Sequence, residues 1–139
     1  MAERVRPLSD LFDASEEERT KLTHQELRDI GLQVANKHLA SLGYTTMGYE
    51  LLIDGEVVVQ FQFENETALC RIEVTTFPRD PLYSESLSEA LSAREEPVFM
   101  LGITLAHELE AFDPEATEGL PPMRGFGVLP KVGELRRYR

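Results

Sequence analysis

The side chains best suited to chemistry in this sequence stand apart from one another. His107-Glu108 opens in the manner of a zinc-protease H-E-x-x-H, but position 111 is Ala, so the second imidazole one helical turn on is missing and the motif fails. His24, His38 and His107 are too dispersed to read as one cluster, and His38 fits a helix residue at the boundary of a core. Cys70 is the only cysteine, so it closes no internal disulfide and supplies no thiolate zinc cage by itself. It alternates with Ile72 and Val74, which reads as a buried, inert thiol rather than a nucleophile. Gly125-Phe126-Gly127 lacks the pattern and the following helix of a phosphate loop, and there is no nucleophile elbow. No cofactor and no metal site follow from these residues. What remains is a polar stripe, Arg71, Glu73 and Thr75, on the strand face opposite Cys70, Ile72 and Val74. Such residues are expected to pair with neighbouring side chains on a solvated sheet face, a residual ligand site being the alternative.

The elements that must position this stripe follow from periodicity and caps. Thr23 with Glu26 forms a capping box, after which Leu27, Ile30, Val34, Ala35, His38, Leu39 and Leu42 recur at helical spacing until Gly43. Tyr49, Leu51 and Ile53 then alternate up to Asp54-Gly55, a dipeptide suited to a tight hairpin. Val57, Val59, Phe61 and Phe63 share one face of the next strand, with Val58, Gln60 and Gln62 on the other. A polar turn at 64–67 leads into the strand 68–76, completing an antiparallel meander. After the breaker 77–81, Ser86 with Glu89 predicts a second capping box, and Leu87, Ala90 and Leu91 supply the inner stripe of a helix ending before Pro97. The apolar run 98–105 is the pattern of a strand buried on both faces. The order is αβββαβ, an α/β (α+β) core.

Length and composition bound this reading. At 139 residues the chain is one domain's worth, and 42% hydrophobic with 28% charged residues is a folded composition. No apolar stretch is long enough for a membrane span, and residues 1–7 lack the apolar run of a signal peptide, so a cytoplasmic protein without membrane attachment is expected. Residues 1–22 read as an N-terminal extension, with Ser15 and Glu18 suggesting a short capped helix, and 23–112 as a single α/β domain. Residues 113–139 hold four of the eight prolines and four of the nine glycines, which predicts an irregular basic tail with 125–132 docked as an extended segment. The net charge of −11 opposes indiscriminate attachment to nucleic acid or anionic membrane. It is concentrated at 85–118, where nine carboxylates face Arg94 alone.

The αβββαβ order is the common core of the PD-(D/E)XK, or restriction-endonuclease-like, fold. Within it, Gly31, Ala35, Leu39, Gly43 and Tyr44 resemble the opening helix of the YraN-type putative endonucleases. Gly55-Glu56-Val57-Val58 lines up with that family's G-E-I-D, and Arg71 to Thr76 with its V-E-V-K-T strand. The resemblance spans about residues 23–76. It implies a site in which an Asp and a Glu on neighbouring strands hold a divalent metal and a Lys orients the attacking water. Here the Asp position is Val58, the Lys position is Thr75, and the Glu that follows the first helix glycine is Leu32. Glu73 and Glu56 are the residual candidates, too few oxygens for a magnesium ion.

The expectation is therefore a non-catalytic binding protein with a degenerate nuclease-like fold, its partner a protein with a basic surface in preference to nucleic acid. A divergent metal-dependent nuclease is one alternative. The other is an acidic, dimeric protein-binding module, since size and charge also resemble type III secretion chaperones and YbjN-like domains. Sheet topology separates them: a nuclease-like core sets strand 98–105 parallel to the meander's third strand, and a chaperone-like one is antiparallel throughout.

Overall fold

The computed structural model describes residues 21–84, 86–110, 112, 113, 115 and 120–139. The short helix predicted around Ser15 lies outside the described residues. The fold is mixed α+β, and among the described residues it has one long helix and one single-turn helix on a five-stranded sheet.

Helix α1 spans His24–Ser41. The predicted capping box is formed in both directions: the Thr23 hydroxyl accepts from the Glu26 N–H at 3.1 Å, and Glu26 Oε1 accepts from the Thr23 N–H at 2.8 Å. At the other end Gly43 takes φ +96°, which lets its N–H reach the Ala40 carbonyl and the Tyr44 N–H reach the Leu39 carbonyl. This pairing stops a helix while satisfying its last carbonyls, and it turns Tyr44 back onto the core beside Phe61. The inner face of α1 is Gly31, Leu32, Ala35 and Leu39.

Strands β1 (Thr46–Leu51), β2 (Val57–Phe63) and β3 (Glu66–Thr76) form the predicted antiparallel meander. Glu64 and Asn65 have φ of 49° and 71°, so the second hairpin is a two-residue turn and pairing resumes at Phe63 opposite Glu66. Tyr49, Leu51 and Ile53 all stay exposed, and it is Leu52 that turns inward.

The connection 77–97 contains α2, the single turn Glu89–Ser92. Its cap is Ser88, whose hydroxyl accepts from the Leu91 N–H, rather than the predicted Ser86. Strand β4 (Val98–His107) is buried at every position, two residues longer than the predicted run. It pairs parallel with β3 from Leu69 opposite Val98 to Thr76 opposite Leu105.

The predicted irregular tail is corrected over 128–137. That segment is β5 (Val128–Arg137), an edge strand antiparallel to β4, so the domain does not end at residue 112. Two physical features hide the strand in the sequence. Pro130 is tolerated because β5 is an edge, where a missing donor faces away from the ladder. The register also shifts between Leu101 and Ile103, so the partly buried residues are Val128, Val132 and Leu135, and alternation is lost.

The sheet order is β1-β2-β3-β4-β5. One face packs Val59, Phe61, Cys70, Leu101 and Ile103 against α1. The other buries Leu52, Val58, Leu69 and Val98 under Leu91 of α2.

Candidate functional site

The candidate residues meet where β3 outruns β2. The β2 register ends at Val58 opposite Arg71, whereas β3 stays paired to β4 as far as Thr76. Residues 72–76 therefore have a sheet neighbour on one side among the described residues. A cavity of about 410 Å³ opens beside them, between the first turns of α1 and the β1–β2 hairpin. It carries Arg28, Arg71 and Arg79 against Glu56 and Glu73, with His24 also in its lining.

Both residual carboxylates thus reach one cavity, but Arg71 stands between them. Its Nε donates to Glu56 Oε2, and its Nη2 lies 3.8 Å from Glu73 Oε1. The other Glu56 oxygen accepts from the Ser88 hydroxyl at 3.1 Å. Burial opposes the charge on Arg71 more than any single contact favours it, but the hydrogen bond to Glu56 and the nearby charges, chiefly those of Glu56 and Glu73, together outweigh it and raise the pKa above the ordinary guanidinium value. Glu56 is in this way a hydrogen-bonded partner of the neighbouring chain segments, as expected for a sheet-face pair.

The positions that depart from the nuclease pattern have settled structural surroundings. Val58 is fully buried in the apolar cluster with Leu52, Leu69, Leu91 and Val98. A carboxylate in its place would be desolvated among aliphatic groups. Thr75 donates its hydroxyl to the Arg79 carbonyl at 3.1 Å and lies 3.5 Å from the Thr104 hydroxyl, so it ties β3 to the loop and to β4. Leu32 packs in the core.

The remaining sequence candidates lie elsewhere. His107 is buried at the end of β4, its Nδ1 accepting from the Leu109 N–H at 3.1 Å and its ring 4.5 Å from that of Phe126. Glu108 accepts from the Gly127 N–H at 2.7 Å, which fastens the entry to β5. His38 is half-buried on α1. Cys70 is buried in the core under α1, and burial pushes its thiol up to about 12. Among the described residues, no three His, Cys, Asp or Glu side chains converge as a cation site would require.

One polar cluster was not anticipated. Arg94 donates to Glu50 Oε2 at 2.7 Å and to Glu96 Oε2 at 2.6 Å, and Gln60 Nε2 donates to Glu50 Oε1 at 2.8 Å. Arg94 holds both carboxyls below the usual carboxylate range. The signal that could have found it is the isolation of Arg94 as the sole base within 85–118. No helix among the described residues is long and apolar enough to cross a membrane.

Comparison of the chain with protein-family models, with curated proteins and with solved structures finds no match.

Proposed function

We propose that this protein is a non-catalytic binding protein on a degenerate nuclease-like core, and that its partner is a protein with a basic surface. The observation that carries the loss of catalysis is the pairing of Arg71 with Glu56, which draws that carboxylate into a structural bond. The burial of Val58 among aliphatic side chains supports the same reading, since no metal ligand arises there. The parallel β3–β4 pair favours the nuclease-like reading of the core over the chaperone-like one, for which an all-antiparallel sheet is expected. The net charge of −11 favours a basic protein surface over a phosphate backbone.

The test is a nuclease assay on DNA and RNA in magnesium and in manganese, with wild type and Glu73→Ala side by side. Equal background in both proteins is expected, because each ~1.4 kcal/mol of lost transition-state stabilisation is a factor of ten and two essential groups are replaced. Metal-dependent cleavage that disappears in Glu73→Ala would overturn the reading and make Glu56 or Asp54 the second ligand.

A further inference from the structure

The two edges of the sheet are built differently. β5 carries Pro130, Lys131, Arg136 and Arg137, together with the register shift against β4. A missing donor, charge and a bulge all discourage a further strand. β1 has an irregularity only at its start, between Thr46 and Gly48, and then runs regularly to Leu51. The Leu52 N–H bonds to the Glu56 carbonyl across the hairpin. The antiparallel alternation therefore turns the N–H and C=O of Tyr49 and Leu51 away from β2. Among the described residues no strand meets them.

The side chains along this edge are apolar and in water: Tyr49 is 48%, Leu51 70% and Ile53 100% exposed. Beside them lies a groove of about 570 Å³, bounded by Leu52 and by Ala90 and Ala93 at α2. Its rim is acidic. Glu50 is held by Arg94, but Asp54 and Glu89 have no ion-pair partner among the described residues.

We propose that the outer edge of β1, which no strand meets among the described residues, is a strand-addition site whose occupant is an extended segment of a partner protein, with a large apolar residue flanked by Lys or Arg. The segment's backbone bonds to Tyr49 and Leu51, its apolar residue covers the groove, and its cations lie over Asp54 and Glu89. A second copy of the chain is disfavoured at this edge, because each copy carries a net charge of −11 and brings the same carboxylates to the contact. The proposal gives a surface to the protein-binding reading above and rests on it.

The experiment titrates the isotope-labelled full chain with a pool of roughly six-residue peptides, a usual strand length, alternating Lys with Ile, Leu or Phe. Two controls accompany it: the same peptides with Glu for Lys, and backbone N-methylated versions that lack donors. The basic peptides are expected to bind and to shift the amides of residues 49–53. N-methylation should weaken them, and Leu51→Lys or Ile53→Lys should weaken them by about tenfold or more. Both side chains are exposed, so an unchanged circular dichroism spectrum is expected to show each variant folded. Binding by no peptide in the pool overturns the proposal, as does equal binding by the acidic or N-methylated controls. A wild-type dimer that Leu51→Lys converts to monomer gives the edge to a second copy instead. Peptide shifts confined to the Arg71 cavity overturn the β1 assignment and leave the protein-binding reading standing. Tight duplex DNA binding that excludes the peptides overturns both.

Discussion

Arg94 shows how one guanidinium organises an acidic surface. It joins Glu50 of β1 to Glu96 just before β4, so the ion pairs link the outer strand to the segment that feeds the buried strand β4. Both carboxyls are held below their ordinary value, chiefly by the hydrogen bonds from Arg94. A folded-state pKa lower than the unfolded one contributes stability above the unfolded value, and that stability is lost as pH falls through the depressed folded value. The resistance of wild type to urea should therefore fall as the pH drops below the common carboxylate value of 4.5. In Arg94→Met that part of the acid dependence should shrink, with a loss of ~1 kcal/mol near neutrality, because partly exposed pairs are screened by solvent. An unchanged acid limb in the variant would show that the pairs carry no net stability. Cys70 gives a second measurement at this scale. Its thiol is buried and pushed up to about 12, so it should resist a thiol reagent in the folded protein and react fully once urea unfolds the chain.

The packing of α1 on β3 fixes where the cavity lies, and Gly31 sets their separation. A Cβ at Gly31 would stand 2.4 Å from Val74 Cγ2 and 3.3 Å from Ile72 Cδ1. Valine has little rotamer freedom with which to yield, so Gly31→Ala must push the helix outward or displace β3. A loss of about 1–3 kcal/mol is expected in denaturant unfolding, with partial recovery in Gly31→Ala/Val74→Ala. In the sequence Gly31 stood out only as part of the resemblance carried by Gly31, Ala35, Leu39 and Gly43, and its role as a contact with Val74 needed the fold. The capping box, the hairpins, the inward faces of β2 and β3 and the buried run of β4 were legible, each carried by a local rule that tertiary packing did not override. β5 was not. Its proline and glycines match a loop by composition, and its bulge removes the alternation that would have marked a strand. The site was half legible: the strand parity puts Arg71 and Glu73 on one face, but only the fold brings Glu56 to the Arg71 guanidinium and Ser88 to Glu56. The one base among nine carboxylates in 85–118 signals that Arg94 is special, yet its partner Glu50 is 44 residues away.

Charge acts on the whole molecule rather than at one contact. With 25 acidic and 14 basic residues, the field outside the protein repels polyanions and attracts cationic surfaces. Part of the acidic excess is internally paired, as at Glu50, Glu56 and Glu96, and so adds little to that field at close range. The carboxylates of Asp54 and Glu89 remain beside the groove at β1, where an approaching cation meets them together with exposed apolar side chains. Association with a basic protein partner should thus be fast at low salt and slow as ionic strength rises, because the Debye length shrinks to about 8 Å at physiological strength. The dissociation rate should change much less, since it depends on the apolar and main-chain contacts made after encounter. Surface plasmon resonance across a salt series separates the two rates. A salt-independent association rate would contradict electrostatic steering. Duplex DNA, assayed in the same series, should bind weakly at every salt concentration, and tight duplex binding with a steep salt slope would identify a local cationic surface that outweighs the net charge.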